Sequence, residues 1–190
     1  TAALLLDPPP MRQARLARRL TASLIHYMNT AFAGDGASLE GIGYWQFGLS
    51  WFVFGAKMLR TRTGGEVDLL DHPALPQVAA FPAKVEVADG IYPPFSDCDP
   101  YSRPKQWLLD ILAEETEQPD LASLAASPDS LGREGLSFFG RCFLAPRTRS
   151  GKCVAPRQRA LQEWLPESQW LIARNSTAAE NTLVLTAKGG

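Results

Sequence analysis

Between Tyr44 and Leu59 almost every residue is aromatic, aliphatic or small: Tyr44, Trp45, Phe47, Leu49, Trp51, Phe52, Val53, Phe54, Ala56, Met58 and Leu59. A helix of this composition has no clear polar face, so it is expected to be buried on most sides. It is too short for a membrane span, and Gly48, Ser50 and Gly55 interrupt it. The reading is an inner helix of a mainly α architecture. The glycine-rich turn Asp35-Gly36-Ala37-Ser38-Leu39-Glu40-Gly41 precedes it and holds Glu40 at its N-terminal end.

The flanking patterns agree. Leu16, Leu20, Leu24 and Met28 recur every four residues, widened by Ala17, Ile25 and Phe32, and predict a helix over 11–32. Arg12, Arg15, Arg18 and Arg19 occupy much of its remaining surface. With Ala33-Gly34-Asp35-Gly36 as a turn, this helix and the aromatic one form an αα-hairpin. Asp71 is expected to cap a short helix with Pro73 in its first turn, and Pro76 and Pro82 to prevent a longer one. A short extended piece follows over 84–88, then a turn at Asp89-Gly90 and a proline-stiffened loop over 91–100. A further helix is predicted over 105–116, with Trp107, Leu108, Ile111 and Leu112 on one side, and a shorter one over 120–126. Residues 127–156 are loop-rich. The last part is β-rich, over 164–173 and again over 182–187, with 175–181 as the connection of an antiparallel pair. Helices first and strands last is an α+β order or two domains in sequence.

Composition narrows the class without choosing a function. Hydrophobic residues are 45%, charged residues 21% and the net charge is −1, which gives no argument for nucleic acid or for an anionic membrane surface as partner. Cys98, Cys142 and Cys153 lack metal-type spacing, and Cys142 with Cys153 is the nearest pair for a disulfide. His26 and His72 show no paired spacing, so a zinc site is not expected. Gly41-Ile42-Gly43 follows no strand and lacks the third glycine of a phosphate loop. The chain opens on Thr1 and stops at Lys188-Gly189-Gly190 directly after a strand pattern, which is the pattern of a segment from a longer protein. The compartment is left open; a periplasmic or secreted location would need a leader ahead of Thr1.

The stretch from Asp35 to Gly48, with its Glu40-Gly41-Ile42-Gly43-Tyr44-Trp45 centre, resembles heparinase II/III-like polysaccharide lyases. So do Leu70-Asp71-His72-Pro73, the loop from Gly90 through Phe95-Ser96-Asp97, and the terminal Trp170-Leu171-Ile172-Ala173-Arg174 strand with Leu183-Val184-Leu185 and Lys188-Gly189-Gly190. The resemblance extends from about Leu16 over nearly the whole chain. It implies an incomplete (α/α) toroid of antiparallel helix hairpins over 1–160 and the first strands of an antiparallel β-sandwich over 161–190. It implies β-elimination on a uronic-acid-containing polysaccharide, with no cofactor in this chain and a structural divalent metal as an option in the β-domain. Oligomeric state is left open. In such lyases an Asn or His neutralises the uronate carboxylate, which makes the C5 proton acidic enough to remove. Tyr and His then handle protons.

Two departures from that pattern matter. The neutraliser is expected just before Glu40-Gly41, where this chain has Ala37, Ser38 and Leu39. The His-rich motif of the sandwich would fall after Gly190, so the chain alone is expected to be inactive. Tyr92 is the first catalytic candidate, a phenol between a turn and Pro93-Pro94, although such a ring can simply pack on proline. Glu40 is the second, with a dipole-stabilised helix-start carboxylate as the competing reading. The two are expected to face one cleft, and Tyr92→Phe to nearly abolish elimination. Tyr44 and Trp45 are candidates for stacking on sugar faces or for the core, and Trp51 is read as core. Asp97 is a substrate-binding candidate and, with Asp99, also a candidate for turn-stabilising bonds. Two further classes stay open: a carbohydrate-binding or structural relative without catalysis, and an α-helical interaction domain.

Overall fold

The computed structural model describes residues 9–124, 159–177 and 182–189. Cys142, Cys153 and the loop-rich stretch containing them lie outside the described residues, as does the end of the short helix expected to reach residue 126.

Among the described residues, four α-helices precede a three-stranded antiparallel sheet. Helix α1 (Pro10–Thr30) starts on a proline, whose missing N–H is harmless in the first turn. Its stripe of Leu16, Ala17, Leu20, Leu24 and Tyr27 packs on the core, and Arg12, Arg15, Arg18 and Arg19 are exposed. Helix α2 (Ile42–Arg62) runs antiparallel to it. Tyr27 stacks on Phe52 with ring centroids 6.4 Å apart. The Tyr27 hydroxyl lies over Gly48 and Leu24 over Gly55, so two glycines of α2 make room for the side chains of α1. Burial raises the Tyr27 pKa above that of an ordinary phenol.

Helix α2 is less enclosed than its composition suggests. Trp45, Leu49, Phe52, Val53, Ala56 and Leu59 are buried, but Tyr44, Phe47 and Trp51 are 46%, 63% and 46% exposed. These three positions line one outward stripe. Trp51 is therefore not core, contrary to expectation. A helix that is apolar all round carries no sign of which side the neighbours leave bare.

Helix α3 (Leu75–Val85) also corrects the sequence reading. Asp71 and Pro73 lie in the preceding turns, Ala74 is the cap, Pro76 occupies the first turn, and Pro82 sits inside the helix. A proline there leaves the carbonyl four residues back, that of Val78, without its helical donor. The indole Nε1 of fully buried Trp45 donates to that carbonyl at 2.8 Å. The proline is tolerated because a neighbouring helix supplies the missing donor.

After α3, Ala88 and Ile91 bridge across the Asp89-Gly90 turn. Helix α4 (Gln106–Glu115) buries Trp107, Leu108, Ile111 and Leu112, as its pattern predicts, and a 3₁₀ helix follows at Pro119–Ser123. An ion-pair cluster ties α4 to α2. Arg60 donates to Glu115 Oε1 and Oε2 at 3.0 and 2.8 Å and its Nε is 2.7 Å from Asp68, while Lys57 Nζ is 2.9 Å from Glu115.

The sheet holds β1 (Gln162–Leu165), β2 (Trp170–Arg174) and β3 (Val184–Lys188) in that order. The apparent long strand over 164–173 is thus two strands with a turn at 166–169. Register puts Leu165, Trp170 and Lys188 on the face toward the helices, with Ile172 and Arg174. Trp170 is buried between Phe81 and Phe95, at centroid distances of 5.4 and 4.8 Å. Leu165, Trp170 and Ile172 belong to the same apolar core as the helices. Buried Arg174 donates to the Glu86 and Ala160 carbonyls at 2.6 and 2.9 Å. Arg159 pairs with Glu86 at 3.2 Å and with Asp89. These contacts pin the loop that leads into Tyr92.

Trp45→Ala is expected to cost about 3–5 kcal/mol in urea unfolding, the range for truncating a buried tryptophan. Trp45→Phe keeps most of the packing and strands the Val78 carbonyl. Adding Pro82→Ala restores a helical donor, so the pair should be less destabilised than the sum of the two changes; strict additivity would show that the indole bond carries no weight. The ion-pair cluster makes a pH prediction. Burial alone raises the Glu115 pKa, but hydrogen bonds from Arg60 and Lys57 more than offset this and hold it below the usual value. Its contribution is therefore present above the unfolded carboxylate value of about 4.3 and is lost as pH falls through the lower folded value. The stability gap between wild type and Glu115→Gln should shrink over that interval, and a gap independent of pH would contradict the assignment.

Candidate functional site

The Asp35–Gly41 turn is held by a buried carboxylate. Asp35 Oδ1 accepts from Ala37 N–H at 3.2 Å. Its Oδ2 accepts from the backbone N–H groups of Glu167 and Ser168, both at 2.9 Å, and from the Ser168 hydroxyl at 3.0 Å. Glu167 returns the contact by accepting from Gly34 N–H at 2.8 Å. The turn between α1 and α2 and the turn between β1 and β2 therefore clasp each other through two carboxylates.

Gly41 closes the turn at φ 86 and ψ −171, a conformation essentially restricted to glycine. A side chain there would also meet Cys98 and the Phe95 carbonyl. Two residues later Gly43 lies against the Ser102 hydroxyl. The 39–44 segment is thereby seated on the 95–102 loop. Within that loop Ser96 has φ 54, uncommon for a residue with a side chain. Its hydroxyl donates to the Leu39 carbonyl at 3.1 Å. Lys188 Nζ, from the end of β3, donates to the same carbonyl at 3.0 Å and to the Ser96 hydroxyl at 2.6 Å. Three segments far apart in sequence meet at this point.

The expected site residues divide into two groups. Glu40 and Asp97 are exposed, beside Leu39 and Ser96 respectively, and Tyr44 is 46% exposed in the first turn of α2. Asp99 accepts from Tyr101 N–H at 2.7 Å and is a turn-stabilising residue. Trp45 has no exposed surface and spends its indole N–H on Val78, so it is a core residue rather than a substrate contact. Tyr92 is only 2% exposed and belongs to the hydrophobic core. Glu40 therefore faces solvent where Tyr92 does not, and the two share no open cleft. The stretch before Tyr92 is anchored: Glu86 accepts from Gly90 N–H at 2.9 Å and pairs with Arg159 at 3.2 Å.

Ser96 and Lys188 were not singled out by sequence, although both lie in the stretches that carry the resemblance. Nothing local marks a serine at positive φ or a lysine at a strand end; their pairing exists only once the sheet docks. His72 accepts from Ala74 N–H at 3.3 Å, and His26 is exposed on α1. Among the described residues no group of three or more His, Cys, Asp and Glu could hold a metal, and no helix is long and apolar enough to cross a membrane. A cavity of about 240 Å³ lies behind the turn, lined by Met28, Phe32, Gly34, Gly36 and Gln77 among others, and none of the candidate residues reaches it.

Asp35→Ala should destabilise the fold strongly, because each buried donor it strands costs about 1–3 kcal/mol. Asp35→Asn should cost less, since an amide oxygen still accepts. Denaturant midpoints measure both, and an unchanged midpoint for Asp35→Ala would mean that water replaces the clasp without penalty.

Compared with known proteins, the chain matches no family model, and no curated protein matches it.

Proposed function

We propose that this chain forms the junction between an (α/α) toroid and a β-sandwich in a heparinase II/III-like lyase acting on an acidic polysaccharide. The observation that supports this reading is the meeting of the resembling segments. Leu39 from the Asp35–Gly48 stretch, Ser96 from the loop after Gly90 and Lys188 from the terminal stretch are joined by hydrogen bonds. The outer face of the sheet supports the sandwich part: Trp164 and Leu185 are 54% and 63% exposed there, with Leu171, Ala173 and Ala187, an apolar face of the kind a second sheet covers.

In this reading Glu40, Tyr44 and Asp97 face the polymer, and the Tyr44 phenol takes the proton-transfer role first expected of Tyr92. The full-length protein incubated with uronate polymers should release unsaturated ends that absorb in the ultraviolet. Tyr44→Phe should lower kcat/KM by roughly 10²–10⁴-fold, while Tyr92→Phe should change melting more than rate. No unsaturated ends from any uronate polymer would remove the lyase reading.

One observation favours a second reading, a carbohydrate-binding relative without catalysis. Ala37 and Ser38 are buried and Leu39 presents an apolar side chain, 53% exposed, where the resemblance calls for Asn or His. Retention of an acidic polymer without cleavage is the outcome that selects it.

A further inference from the structure

We propose that the Lys188 ammonium is the point at which this surface binds the carboxylate of a uronic-acid unit, with the sugar's hydroxyls donated to Glu40 and Asp97. The inference deepens the acidic-glycan reading and rests on it.

An ammonium has three donors and no acceptor. Lys188 directs donors at the Leu39 carbonyl, 3.0 Å away, and at the Ser96 hydroxyl, 2.6 Å away. Both partners are neutral, so they fix the group in place without forming an ion pair. Among the described residues Lys188 makes no ion pair, in contrast to Lys57, Arg60 and Arg159. A long flexible side chain held this way has already lost the freedom that an anion would otherwise have to remove on binding. Its inward-facing, half-buried stem beside Trp170 adds to that restraint.

The backbone shows a second sign. Ser96 keeps a positive φ of 54 while its hydroxyl bridges Leu39 and Lys188. Strain of this kind persists where the surroundings over-determine it, and it is concentrated at ligand clamps.

The neighbours restrict the ligand. Glu40 and Asp97 directly follow Leu39 and Ser96 in sequence and are exposed. Exposed carboxylates that directly follow both acceptors of the ammonium in sequence disfavour a ligand that is anionic throughout, such as a polyphosphate or a densely sulfated chain. They suit a unit with one carboxylate and several hydroxyl donors, which describes a uronic acid. Tyr44, at the start of α2, adds an exposed aromatic ring on which a sugar face can stack.

The test measures binding in the full-length protein, with a uronate oligosaccharide, its carboxyl-reduced counterpart and a sulfated neutral oligosaccharide as probes. Wild type should bind the uronate at least about tenfold more tightly than either control, as one charge-assisted hydrogen bond allows. Lys188→Met should remove that preference and leave binding of the reduced sugar unchanged, and Lys188→Arg should keep most of it. Equal binding of all three probes by wild type overturns the proposal, as does a Lys188→Met protein that retains the preference. Should Lys188→Met fail to fold, the wild-type Lys188 side-chain nitrogen resonance decides: it should shift with the uronate and stay in place with the reduced sugar, and the absence of a uronate-specific shift overturns the proposal. Failure of the lyase reading looks different. A protein that binds uronate through Lys188 but yields no unsaturated ends keeps this inference and loses the enzyme, whereas elimination that is indifferent to Lys188→Met keeps the enzyme and loses the inference.

Discussion

The arrangement depends on one buried carboxylate. Asp35 takes four donors, three of them from the turn between β1 and β2. Without it, the turn between β1 and β2 would lose most of its polar anchor on the helices, and apolar contact by itself sets no register. A carboxylate accepting backbone N–H groups adds direction, and the reciprocal bond from Gly34 to Glu167 doubles the constraint. Once that turn is placed, β2 lies with Trp170 against Phe81 and Phe95, and β3 ends with Lys188 over Leu39. The meeting of Leu39, Ser96 and Lys188 is thus a by-product of a docking contact about which those residues say nothing.

Helices that alternate apolar and polar residues were legible in the sequence. Helices α1 and α4 begin and end within two residues of the expected limits, and the antiparallel pair of β2 and β3 was readable from two β-rich runs around a polar connection. The errors have definite causes. Pro82 reads as a breaker because local rules count only the donors of its own helix, whereas Trp45 supplies one from outside. Trp51 reads as buried because a uniformly apolar helix hides its orientation, and only the packing of α1 over Gly48 and Gly55 decides which side is covered. The turn at 166–169 was invisible because Pro166-Glu167-Ser168-Gln169 lies between two strongly β-forming stretches; Gln169 at φ 55 completes the reversal without a glycine.

The site was legible in part, and in a consistent direction. Glu40, Tyr44 and Asp97 are exposed, as residues in or beside rigid turns commonly are. Tyr92 and Trp45 went the other way. Both are aromatics buried in a core assembled from several elements, and Trp45 also donates to the Val78 carbonyl 33 positions away. A residue's chemical aptitude is written in its type; its access to solvent is set by contacts that sequence spacing does not contain.

The contacts divide by distance along the chain, and that division carries a consequence for how the protein reaches its fold. The α1–α2 hairpin closes over a turn of about a dozen residues, while Asp35 and Ser168 are 133 positions apart and Leu39 and Lys188 are 149 apart. Closing so long a loop costs entropy before any contact compensates for it, and pairings of this kind slow folding. The helices therefore have a head start, and docking of the sheet is the late event. Until it happens, the Asp35 carboxylate, the backs of Phe81 and Phe95 and the strained Ser96 loop all wait for the same arriving hairpin, so the surface around Leu39, Ser96 and Lys188 comes into being in the last step of folding rather than maturing piece by piece.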